Sequence, residues 1–104
     1  MYARQLTMQL KPKSQANFAH AIEARVLPIL REQRGFKDEI TFIERQGTEA
    51  VAISLWESKE NAEAYGRDTY PQVLKTLDKV VVGTPEVDLY EVSNSTFHKI
   101  AARN

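Results

Sequence analysis

The sequence predicts an α+β domain of order β-α-β-β-α-β, with a four-stranded antiparallel sheet and both helices on one face. Three observations carry that prediction. Four short segments read as strands, the first of them alternating apolar and polar residues with a period of two. Two longer segments carry apolar stripes at helical spacing. Between the second and third strand-like segments lies only the short turn Gln46-Gly47-Thr48, which makes those two strands an antiparallel hairpin.

The first strand covers residues 2–10, where Leu6, Met8 and Leu10 alternate with Gln5, Thr7 and Gln9. Lys11-Pro12-Lys13 ends it. Ser14 then stands as the N-cap of a helix running to about Arg34, although Asn17 is not the Glu or Gln of a full capping box. Phe18, Ile22, Val26, Ile29 and Leu30 form its apolar stripe. Pro28 inside that stripe removes a backbone bond and crowds the carbonyl of Ala24, so a kink is expected there. Gly35 is the stop.

Phe36 to Arg45 reads as the second strand, with Ile40 and Phe42 on one face and Thr41 and Ile43 on the other. Ala50 to Trp56 is the third. Its Val51, Ile53 and Leu55 point one way, and Ala52, Ser54 and Trp56 the other. Ser58 caps the second helix, with Glu60 in the first turn where the helix dipole favours negative charge. Gly66 and Pro71 divide this helix into a piece ending near Arg67 and a restart at Pro71, a residue well tolerated at a helix start. Val73, Leu74, Leu77, Val80 and Val81 form its stripe. Gly83-Thr84-Pro85 is a break before the fourth strand, Glu86 to Val92. The domain thus covers residues 1–92, and 93–104 is a polar tail holding Phe97 and Ile100. Right-handed crossovers make the topology ferredoxin-like.

A chain of 104 residues makes one domain with a thin core. Lys plus Arg and Asp plus Glu are 14 each, and neither half of the chain is a basic patch, which argues against nucleic acid as a partner. The absence of cysteine excludes disulfides, thiolate metal sites and a cysteine nucleophile. No apolar run approaches the ~20 residues of a membrane span, and no signal-peptide core opens the chain, so a cytoplasmic protein is expected.

The second and third strands carry apolar or small residues on both faces. Helices cover only one face, and a face open to water shows polar alternation. The uncovered face is therefore an association surface, and the expected assembly is a homodimer with its sheets packed face to face.

The stretch SLWESKENAEAY, the proline-kinked RVLPILREQRGF and the element order together resemble the antibiotic biosynthesis monooxygenase-like family of dimeric α/β barrels, from about Tyr2 to Val92. The resemblance implies a substrate cavity between sheet and helices. It also implies oxygenation of phenolic or anthrone-type substrates by molecular oxygen, with no cofactor. It places Trp56 near that cavity; Tyr65 and Tyr70 flank the apolar stripe of the second helix if that helix is roughly continuous, which would let them close the same pocket. The haem-degrading branch of the superfamily has an Asn on the first strand and a Trp and a His on the second helix. Here Arg4 or Gln5, Tyr65 and Lys75 stand near those places, so haem degradation is not expected.

The candidate substrate-binding residues are thus Trp56, Tyr65 and Tyr70, each of which also has a plain role as core filler. No catalytic base is identified. His20 falls opposite the apolar stripe and is expected in solvent, and His98 lies in the tail; no metal site is expected. Glu57, Glu60 and Glu63 read as a solvated run. Arg4 interrupts an otherwise apolar strand face; it either pairs with Asp88 or Glu91 on a neighbouring strand or reaches into the cavity, and the salt bridge is the favoured expectation. The function expected is a cofactor-independent monooxygenase for a small aromatic, quinol-like or polyketide-like substrate. The alternatives are a non-enzymatic small-molecule binding or stress-associated dimer, or an isomerase or cyclase using the same cavity.

Overall fold

The computed structural model of the chain describes residues 1–97. Its strands are β1 Tyr2–Leu10, β2 Phe36–Ile43, β3 Glu49–Trp56 and β4 Val81–Glu91. They form one sheet in the order β2-β3-β1-β4, with every neighbouring pair antiparallel. The helical segments are α1 Gln15–Ala21, a π-helical turn Ile22–Val26, α2 Leu27–Arg31, α3 Lys59–Asp68 and α4 Tyr70–Leu77. They bury their apolar sides on one face of the sheet, as the ferredoxin-like order requires. Leu6, Met8 and Leu10 of β1 meet Phe18, Ile22 and Val26 there.

Pro28 acts as the sequence foretells, but its effect is spread upstream. Proline cannot donate to the carbonyl of Ala24, and the chain widens into a π turn just before it. Leu27 N–H donates to Ile22 O, five residues back. Ser14 precedes α1 but does not cap it with its side chain. Its backbone is not extended, so the hydroxyl is turned away from the helix and donates to Pro12 O at 3.4 Å. Ser58 is extended, and its Oγ accepts from Asn61 N–H at 3.1 Å, a working N-cap for α3.

Two boundaries differ from the sequence reading. The apolar stripe through Val80 and Val81 is not all helix. α4 stops at Leu77, and β-branched Val81 pairs with Leu10 as the first residue of β4. The Gly83-Thr84-Pro85 break lies inside β4 as an irregularity, where the pairing with β1 slips between Thr7 and Gln9. β4 is an edge strand, and an edge tolerates proline and a bulge.

The face away from the helices is apolar along β2 and β3. Ile40 and Phe42 remain 46% and 51% exposed, and the neighbouring Val51, Ile53 and Leu55 are half-buried. Across β1 this face turns polar, with Gln5, Thr7 and Gln9. His98 and Ile100 lie outside the described residues.

Candidate functional site

On the helix-covered face, β1, β3 and β2 place three polar side chains in one row. Arg4 is the pairing partner of Ser54, and Ser54 is the partner of Glu39. With strands ~4.8 Å apart, the backbones of Arg4 and Glu39 stand about 10 Å apart with Ser54 between them. These three, with Tyr65 of α3, are the polar lining of a cavity of about 30 Å³ between sheet and helices. The rest of the lining is apolar, and Ile22 and Val26 reach it from the π turn.

Arg4 is 7% exposed. Its guanidinium lies 3.9 Å from the centroid of the Tyr70 ring and 5.2 Å from that of Tyr65. α3 passes directly above it, because a Cβ on Gly66 would sit 3.5 Å from Arg4 Nε. The expected pairing with Asp88 or Glu91 is not what holds it. Leu89 is the residue of β4 opposite Arg4, while Asp88 stands opposite Gln5 and Glu91 opposite Tyr2. Among the described residues no ion pair includes Arg4. Burial lowers its pKa, and the electrostatic influence of Tyr65 and Tyr70 opposes that shift. An arginine keeps its charge under such a shift. The site therefore holds a buried cation whose neighbours are π faces and hydroxyls.

Tyr65 and Tyr70 are both buried. Burial pushes the Tyr65 phenol up to about 12, against the pull of Arg4, with Tyr70 and Glu39 adding to the rise. Burial also raises Tyr70, again opposed by Arg4. Both are neutral donors near neutral pH. Arg4 is near enough to Tyr70 Oη to favour its anion. Yet no group among the described residues meets this buried oxygen in hydrogen-bond geometry. An unsatisfied buried hydroxyl is costly, and it is free to donate to a ligand atom.

Trp56 is fully buried and stacks on Tyr65 at 4.9 Å between centroids, while Phe36 meets its edge at 5.6 Å. Its Nε1–H donates to Ser54 Oγ at 2.9 Å, and Ser54 Oγ donates to Arg4 O at 3.4 Å. The indole thus has its one polar group satisfied internally. The structure brings the three predicted residues together as a stack, Trp56–Tyr65–Tyr70, the last two rings 6.3 Å apart. Of these only Tyr65 lines the cavity; Trp56 backs it, and Tyr70 carries Arg4. Tyr65 also forms part of a surface pocket of about 120 Å³ with Gln33, Asn61 and Thr69, so its ring stands between that pocket and the cavity.

Glu39 was not singled out by the sequence. It is half-buried on edge strand β2, and one carboxylate oxygen accepts from Thr41 Oγ1. Burial raises its pKa, and the Thr41 hydrogen bond opposes the rise. The signal was present: Glu39 continues by two residues the inward row of Thr41 and Ile43. His20 is in solvent, as are Glu57, Glu60 and Glu63. Among the described residues no three His, Asp or Glu side chains gather as a metal-binding group, and no helix is long and apolar enough to cross a membrane.

The sequence matches no protein-family model and no curated protein. Solved structures do match. A monooxygenase from the gene ActVA-Orf6 of Streptomyces coelicolor, in complex with Nanaomycin D, superposes with a TM-score of 0.77 at 19% identity, over 90% of this chain and 88% of that one. SnoaB, a cofactor-independent oxygenase from Streptomyces nogalater, gives 0.72 at 18%, over 91% and 95%. A Bordetella bronchiseptica structure assigned to the antibiotic biosynthesis monooxygenases gives 0.73 at 14%, over 88% and 95%. The chain has the antibiotic biosynthesis monooxygenase fold. At these identities the likeness is one of fold, and a Nitrosomonas europaea protein of unknown function shares it.

Arg4 is a charge the fold holds at a cost, so replacing it by an apolar chain of similar length should not weaken the protein. The urea midpoint of Arg4→Met should equal or exceed that of the wild type. A fall in stability of about 2 kcal/mol or more, the worth of a desolvated cation–π contact, would show that Arg4 serves the fold.

Proposed function

We propose that this protein is a cofactor-independent monooxygenase for a small aromatic, quinol-like or polyketide-like substrate held between sheet and helices. The observation that carries the reading is Arg4, a buried guanidinium with no carboxylate partner among the described residues, facing a cavity beside two neutral tyrosines. A cation kept in that setting matches an anion formed during reaction better than a neutral ground state. An electron-rich phenol or anthrone becomes reactive toward oxygen once it has lost a proton. Its anion would rest against Arg4, with Tyr70 Oη as a further donor. Tyr65 would supply the aromatic wall, with Trp56 stacked behind it. The shared fold with SnoaB and with the Streptomyces coelicolor monooxygenase supports the same reading.

For an anthrone-type methylene the balance is one CH2 and one O2 giving one C=O and one H2O. The substrate supplies all four electrons, and no external reductant is needed. The protein's contribution is to hold the anion, orient it and exclude bulk water. A cavity of about 30 Å³ is far below the volume of such a ring system. Entry therefore requires a movement, and the ring of Tyr65, shared by the cavity and the surface pocket, is the side chain whose displacement joins the two.

The proposal includes a homodimer. Ile40, Phe42 and Ile53 form an apolar surface on the outer face of β2 and β3, and a second copy laid sheet to sheet would remove it from water. Light scattering at micromolar concentration should give about twice the 11.9 kDa chain mass, and Phe42→Glu should return the monomer. A wild-type monomer would contradict the sheet-to-sheet assembly.

Oxygen electrode measurements with anthrones and hydroquinones should show uptake above the uncatalysed rate. Arg4→Met should lower it by about 100-fold or more, as losing an oxyanion donor does. Tyr70→Phe should lower it less. Uptake unaffected by Arg4→Met would remove the basis of the reading. Ligand binding with no uptake across the panel would favour a binding protein.

A further inference from the structure

The oxygenase reading needs a proton acceptor, and the cavity contains one carboxylate. We infer that Glu39 is the general base of this site, the group that takes the proton from the bound substrate before oxygen reacts. The inference rests on the oxygenase reading and adds a residue to it.

Geometry carries the assignment. Arg4, Ser54 and Glu39 form one row across three strands, on the face that the helices cover. The cation and the carboxylate are therefore two strand spacings apart, about 10 Å at the backbone, and no ion pair joins them. A substrate ring lying over Ser54 would present its anionic oxygen to Arg4 and its acidic C–H or O–H bond toward Glu39. Thr41 Oγ1 donates to one carboxylate oxygen, which fixes the group and leaves the other oxygen available. The titratable groups that share the cavity with Glu39 are Arg4 from β1 and Tyr65 from α3. Ser54 from β3 and Ile22, Val26 and Leu30 from the first helical layer carry no charge. Burial favours the neutral acid and so strengthens the base, as general-base catalysis near neutral pH requires.

The proton moves as follows. Glu39 takes H⁺ from the substrate, and the electron pair stays on the substrate as its anion. The anion gives one electron to O2, and the resulting radical pair joins as a peroxide anion. The neutral Glu39 returns its proton to that peroxide. Loss of water, which takes the second C–H hydrogen and breaks the O–O bond, leaves the carbonyl.

The test separates proton transfer from oxygen chemistry. Anthrone is mixed with the protein in the absence of oxygen, and the visible absorbance of its anion is followed by stopped flow, with binding read from Trp56 fluorescence. The wild type should form the anion at a rate that falls as pH drops through the raised pKa of Glu39, because only the carboxylate accepts a proton. Glu39→Gln should still bind anthrone but form its anion at least about 100-fold more slowly, without that acid limb. Glu39→Asp should restore part of the rate and the limb. Anion formation by Glu39→Gln at the wild-type rate and pH dependence would overturn the assignment while leaving Arg4 and the oxygenase reading intact. A wild type that forms no anthrone anion and takes up no oxygen would overturn both.

Discussion

The buried guanidinium of Arg4 is the constraint around which the helix-covered face is arranged. Taking a cation out of water costs several kcal/mol even after the protein relaxes, and Arg4 has no carboxylate among the described residues to offset that. What it has is a ring 3.9 Å away, a second at 5.2 Å, and a helix that passes over it at a glycine. A protein selected for stability alone would place a leucine or methionine there, in line with Leu6, Met8 and Leu10. The charge is understandable if something negative arrives in the cavity, and that is the physical core of the proposed oxygenase reading.

Interruptions in the helices supply the rest of the site. Pro28 forces the π turn, and that turn carries Ile22 and Val26 onto the cavity. In the second helical layer α3 ends at Asp68 and α4 begins at Tyr70, with Pro71 in its first turn. An unbroken helix would turn Tyr65 and Tyr70 to different sides, because five residues advance it by about 500° at 3.6 residues per turn. The break lets both rings bear on one guanidinium. Trp56 then fixes Tyr65 from behind, and its own N–H is anchored on Ser54, the middle residue of the polar row. Rigid backing on one side of Tyr65 and an open pocket on the other limit how that ring can move.

Much of this was legible in the chain. Alternation in LTMQL and in AVAISLW assigned both faces of the two central strands correctly, since a buried face leaves little freedom of register. The break just before Pro71 was readable from backbone chemistry alone, although α3 runs through Gly66 to Asp68. The end of the last helix was not. Val80 and Val81 fit a helical stripe and a strand equally well, and pairing with β1 decided between them. That Trp56, Tyr65 and Tyr70 would be buried close together was legible, because large aromatics in a small domain have few places to go. Arg4 was noticed, but the favoured pairing did not hold: Asp88 stands opposite Gln5 on the other face, and Glu91, on the same face, is opposite Tyr2 rather than Arg4. Glu39 was passed over as one charge among several in KDEITFIER. Alternation put Glu39 on the face of Thr41 and Ile43, and the cross-strand register adds that it stands in a row with Ser54 and Arg4.

The most direct test of the account is the ionisation of a phenol bound in the cavity. A nitrophenol, whose neutral and ionised forms absorb at different wavelengths, can be titrated with pH while bound to the wild type and to Arg4→Met. The account predicts that the bound phenol ionises at lower pH than in water, and that Arg4→Met abolishes the lowering. A bound phenol that ionises at higher pH than in water, alike in both proteins, would mean that the cavity favours neutral molecules and that Arg4 does not hold an anion there.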